Sequence, residues 1–123
     1  MTMTEVKTQD LSGTALDWAV ALAVGWTAAK LVTIEDVSKT SFEVRSPSGL
    51  RLQPSTDWSQ CGPLIAKIKI GFGPALDGWV AHPHRPNAPT EWLTADEPLV
   101  AICRAIVADR LGMVVSVPAE LLL

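Results

Sequence analysis

Between Ala15 and Trp26 the chain sets Leu16, Trp18, Ala19, Val20, Ala21, Leu22, Ala23 and Val24 around a single charge, Asp17. Asp10 or Ser12 ahead of this run can cap a helix and Gly25 behind it can stop one, so a helix is expected over residues 14–24. On a wheel of about 100° per residue, Leu16, Ala19, Val20 and Ala23 share one face, while Trp18 and Leu22 fall nearly opposite. A short helix that is apolar almost all round must be covered on both sides. Either it is sandwiched inside one domain or it meets a second subunit, and a homodimer is expected on the second alternative.

The rest of the chain is long enough to supply that cover. Its 123 residues suit a single domain, 1–123, and 48% hydrophobic against 19% charged residues argues for a packed core rather than disorder. A net charge of −3 and a pI of about 5.2 give no general attraction for a phosphate backbone, so nucleic acid is not an expected partner. The apolar run at 15–26 is well short of the roughly 20 residues that cross a bilayer and has no basic flank. Neither a membrane span nor a signal peptide is expected. Cys61 and Cys103 are too few for a disulfide scaffold and do not form a CxxC pair, which suggests reduced thiols and a cytoplasmic setting.

Further along, residues 5–8, 30–34 and 41–45 read as strands, and Ser46-Pro47-Ser48-Gly49 reads as a turn from which Leu50-Arg51-Leu52 returns as a hairpin. Ser55 or Thr56 can cap a helix over residues 57–67, unless Gly62-Pro63 makes a turn with the helix starting at Pro63. Alternation over residues 67–72 and 78–82 predicts an antiparallel strand pair. Residues 83–95, with Pro83, Pro86 and Pro89, read as a long loop. Asp96 is the expected cap of a helix with Leu99, Ile102, Cys103, Ile106 and Val107 on one face and Gly112 at its end, and residues 114–117 add an edge strand. The fold class is α+β: two or three helices packed on a mainly antiparallel sheet of four to six strands.

Three segments carry a resemblance. Ala15-Leu16-Asp17-Trp18-Ala19-Val20-Ala21, Ser55-Thr56-Asp57-Trp58-Ser59-Gln60-Cys61-Gly62-Pro63-Leu64-Ile65 and Pro98-Leu99-Val100-Ala101-Ile102-Cys103-Arg104-Ala105-Ile106-Val107-Ala108 resemble, in order and spacing, the NinX-like family of tailed phages and prophages. Cys61 stands where that pattern suggests Gly or another small residue. The resemblance implies a small cytoplasmic accessory protein from a phage or prophage genome, and brings no biochemical activity with it.

Candidate site residues follow from side-chain chemistry. Asp sits beside or one residue from Trp in Asp17-Trp18, Asp57-Trp58 and Asp77-Gly78-Trp79. Trp joins a large apolar face to one donor and Asp offers acceptors, which serves both helix starts and polar pockets. Asp57, Trp58 and Gln60, beside a Gly-Pro step, form the densest such group. Trp79 and Trp92 flank the proline-rich loop and are candidates to wall a pocket beneath it. Arg104, about 140° from Leu99 on its helix, is placed to reach Asp57 or an anionic ligand. His82-Pro83-His84 lacks further ligands at a diagnostic spacing, and Cys103 lies on an apolar helix face where a thiol is inert. No catalytic residue, cofactor or metal site is assigned. The expected function is non-enzymatic binding, at Asp57, Trp58, Gln60, Trp79, Trp92 and Arg104, of a host protein or a small polar ligand, with nucleotides among the candidates. The alternatives are a DNA-recombination accessory factor, a small metal-dependent hydrolase and a dimeric scaffold without a pocket.

Overall fold

The computed structural model describes residues 2–26, 29–88 and 91–122. Its centre is helix α3, Pro98–Leu111, in which Leu99, Ala101, Ile102, Cys103, Ala105, Ile106, Val107 and Ala108 are all buried. Pro98 holds the first helical position, where its missing N–H costs nothing, and Glu97 is the N-cap, one residue later than the expected Asp96. Gly112 closes the helix at φ +96°, donating to the Ala108 carbonyl at 3.1 Å.

Helix α1, Gly13–Ala23, packs on α3 through Ala15, Leu16, Ala19 and Val20. Its Ala21 instead joins a smaller cluster with Val44 and Leu52, and Trp18 packs against both clusters. The all-round apolar helix is thus sandwiched within the chain, with Leu22 left exposed. Helix α2, Trp58–Ile68, runs through Pro63 without breaking and is capped by Asp57 rather than by Ser55 or Thr56.

Seven strands are present among the described residues, all paired antiparallel, in three small sheets rather than one of four to six. A helix buried nearly all round needs cover on several sides, which one sheet face cannot supply. Strand β1, Met3–Lys7, pairs with the late strand Val114–Pro118, from Met3↔Pro118 to Lys7↔Val114. Strands β2, Lys30–Glu35, and β3, Thr40–Arg45, form a hairpin that rests on α1. Strands β4, Ile70–Ala75, β5, Gly78–Pro83, and β6, Leu93–Ala95, make the third sheet, in that order, against α3. Val114–Pro118 is β7.

Several boundaries differ from expectation. The turn at residues 46–49 forms, but the returning segment makes no strand: it is held by the Arg45↔Arg51 bridge, a 2.9 Å bond from the Ser46 N–H to the Leu50 carbonyl and a 2.7 Å bond from the Leu52 N–H to the Val44 carbonyl. Lys67 and Ile68 finish α2 instead of starting a strand, because Leu64 and Ile68 are buried together one helical turn apart. Lys69 then ends the helix at φ +65°. Residues 93–95 of the expected loop are strand β6, and Arg85 ties the loop to α3 through an ion pair with Asp109. Pro89 and Thr90 of that loop lie outside the described residues. No helix among the described residues is long and apolar enough to cross a membrane.

Candidate functional site

The two-residue turn Leu76-Asp77 links β4 to β5, and Gly78 follows it at φ +148°. A Cβ at Gly78 would lie 2.4 Å from the Ala95 carbonyl oxygen, so only glycine lets β6 approach this closely. The Trp79↔Ala95 pairing then delivers Asp96 and Glu97 beside the turn. Between turn and helix start lies a cleft of about 690 Å³, lined among others by Leu76, Asp77, Trp79, Asp96, Glu97 and Arg104.

Arg104 reaches the cleft from α3 while anchoring its floor. Its Nε donates to the Leu11 carbonyl at 2.8 Å and its Nη1 to the Thr94 carbonyl at 2.5 Å, and Asp57 is not among its partners. Burial draws the guanidinium below its ordinary value, opposed by Asp10 and Asp96. Gln9 grips the same strand residue from the other side: its Nε2 donates to the Thr94 carbonyl, and its Oε1 accepts the Thr94 N–H at 3.0 Å. Asp77 and Glu97 make no side-chain hydrogen bond or ion pair among the described residues, and Glu97 caps α3 by its backbone alone. The cleft therefore presents three carboxylates against one guanidinium whose Nε and Nη1 already have partners.

Trp58 stands outside this cleft, in a neighbouring cavity of about 280 Å³ shared with Ser55, Thr56, Glu97, Pro98 and Leu99. Phe72 bridges the two tryptophans, with ring centroids 6.3 Å from Trp58 and 6.3 Å from Trp79. No sequence expectation named Phe72, Asp96 or Glu97 for the site, and Asp77 entered only as one of the three Asp and Trp pairings. Phe72 was within reach of one, because the period-two pattern with Phe72↔Ala81 and Pro74↔Trp79 puts it on the face of Trp79. Trp92 stacks on His82 at 4.9 Å, and His82 points to the opposite face of β5 from Trp79. Trp79 and Trp92 therefore do not wall one pocket.

The other expected residues are engaged locally. Asp57 Oδ1 accepts from the Ser59 hydroxyl at 2.6 Å and the Ser59 N–H at 2.8 Å, which holds its carboxyl below the ordinary range. Gln60 accepts the Gln53 N–H at 2.7 Å and donates to the Arg51 carbonyl at 2.9 Å, fastening residues 51–53 to α2. Asp17 is buried and takes the Ser55 N–H at 2.9 Å, with burial pushing its carboxyl up against the lowering effect of Ser55. Cys61 and Cys103 are buried free thiols, their Sγ atoms 3.8 Å apart. The contact with Cys61, together with burial, pushes the Cys103 thiol up, away from the reactive thiolate. Among the described residues no group of three or more His, Cys, Asp or Glu is placed to hold a metal ion.

A family model described as Bacteriophage P22, NinX matches residues 7–110. None of the curated proteins matches the chain.

Proposed function

The chain belongs to the phage NinX family, and from that premise we propose that this phage-encoded accessory protein is a non-enzymatic binder acting in the host cytoplasm, whose ligand occupies the cleft beside Trp79 and Arg104. The observation that carries this reading is the meeting of an aromatic face with the carboxylates of Asp77, Asp96 and Glu97 in one cleft of about 690 Å³. That volume falls in the usual range for small-molecule sites, roughly 300–1,000 Å³. Recognition is favoured over reaction because the cleft offers a stacking surface and acceptors, while both thiols are shut in the core.

The charge balance selects the ligand. A phosphate would meet three carboxylates across a narrow space, whereas an ammonium or guanidinium gains from each of them and from the π face of Trp79. A positively charged, donor-rich group therefore fits better than a nucleotide.

The test is a thermal-shift series at low salt with argininamide, spermine and AMP. Any ligand that prefers the native state raises the midpoint by mass action. The expected result is a saturable rise with the cationic probes, lost in Trp79→Ala and in the double variant Asp77→Asn, Glu97→Gln. A rise with AMP alone would overturn the cationic assignment, and no rise with any probe would overturn the cleft as a ligand site.

A further inference from the structure

The cleft and the Trp58 cavity are not separate features of the surface. Glu97 borders both, and the rings of Trp58, Phe72 and Trp79 run from one to the other at successive centroid spacings of 6.3 Å. Two of these rings are exposed, Trp58 at 51% and Phe72 at 40%, while Trp79 is half-buried, packed on the core and bordering the cleft. Alternate residues of an extended chain recur every ~6.6 Å, close to that ring spacing. A small amine fills one such position, while an extended peptide presents side chains to all three.

Charge then chooses the kind of peptide. Asp77, Asp96 and Glu97 line the groove, and Glu97, which borders both cavities, has no side-chain partner among the described residues. Arg104 is the cation among the residues that line it, with two of its donor groups held by backbone carbonyls. An arginine or lysine side chain laid across an aromatic face with a carboxylate at the rim gains from both.

We propose that Trp58, Phe72 and Trp79, edged by Asp77, Asp96 and Glu97, form one groove that binds an extended basic segment of a partner protein, with alternate Arg or Lys side chains over successive rings. This rests on the reading of the cleft as a ligand site and extends it to a partner and a mode of docking. The argininamide site at Trp79 is then one position of a longer interface, and Trp58 supplies affinity that a single cation cannot use.

The experiment is fluorescence anisotropy of a labelled peptide of three alternating Arg-Ala units, competed with argininamide and with spermine, at about 25 mM and about 250 mM salt. The peptide is expected to bind at least roughly tenfold tighter than argininamide and to weaken at the higher salt. Trp58→Ala is expected to weaken the peptide roughly fivefold or more while leaving argininamide unchanged, and Glu97→Gln to weaken both. Glu35→Gln, on β2 and lining neither cavity, controls for general attraction to an acidic protein. Peptide and argininamide binding equally, with Trp58→Ala silent, would overturn the groove and leave the cleft standing. Spermine competing as tightly as the peptide would replace the protein partner with a polyamine. Failure of both peptide and argininamide would remove the groove and the cleft together.

Discussion

Asp17 bears a carboxylate in a place that disfavours it. It lies between α1 and the segment before α2, buried, with the Ser55 N–H as its hydrogen-bond donor and its proton affinity raised by burial. Between the ordinary and the raised pKa the folded chain keeps a proton that the unfolded chain releases, so stability falls as pH rises through that window. Asp17→Asn keeps an acceptor for Ser55 and removes the charge. It is expected to flatten this decline and to match or exceed the parent in urea unfolding at pH 7. Asp17→Ala strands the Ser55 N–H and is expected to lose about 1–3 kcal/mol. An Asn variant that keeps the parent slope between pH 4 and 7 would show that another group is responsible. The three Asp and Trp pairings, so alike in sequence, end in three different roles. Asp17 holds a distant loop, Asp57 caps α2, and Asp77 edges the cleft. What separates them is the group each meets in space: Ser55, Ser59 or the open cleft. For Asp57 the partner lies two residues on and the helix-start role was open to reading, whereas Ser55 and the cleft are absent from the local sequence of Asp17 and Asp77, where the motif could be noticed and not interpreted.

At the level of elements, periodicity made most of the fold legible. The three helices, the β2 and β3 strands and β7 all lie where spacing places them, to within a few residues. Two failures have plain causes. Alternation at residues 67–70 continues a helical face through Leu64 and Ile68, and Lys69 ends the helix in a left-handed conformation that no glycine announces. Strand β6 has three residues, too few to show any period, yet its pairing with β5 assembles the cleft. The cleft was therefore the least legible part, since Asp96 reads as a helix cap and Asp77 as one more Asp near a Trp until β6 brings them together with Glu97. Gly78 tests this arrangement. With Gly78→Ala, the new methyl must push the Ala95 carbonyl away at a positive φ, so a loss of roughly 2 kcal/mol or more is expected in chemical denaturation. The variant should also bind argininamide more weakly, because β6 leads directly into Asp96 and Glu97. Unchanged stability would mean that β6 does not approach Gly78 as closely as the structure places it.

Over the whole molecule, cohesion is uneven. The large cluster joins α1, α2, α3, β4, β5, β6 and β7, whereas β2 and β3 meet the body through the small cluster of Ala21, Val44 and Leu52. Within those two strands Val44 is the one fully buried side chain, and the remaining positions are half-buried or exposed. A hairpin so attached can open without exposing the main core. Native-state hydrogen exchange should therefore show amides of β2 and β3 exchanging faster, and with weaker dependence on added urea, than those at residues 102–107 of α3. Val44→Ala should speed the hairpin amides roughly tenfold more than those of α3, because it thins the cluster that holds them. Equal acceleration everywhere would make the chain a single cooperative unit. The distribution also bears on binding, since the three rings of the groove stand on α2, β4 and β5, and none of the described residues that line it belongs to β2 or β3. A groove built on the less yielding part of the molecule is formed before its ligand arrives, which lowers the ordering cost of association. On that account Val44→Ala should leave the affinity for the basic peptide unchanged even as the hairpin loosens, and a loss of affinity in that variant would place the hairpin in the binding unit after all.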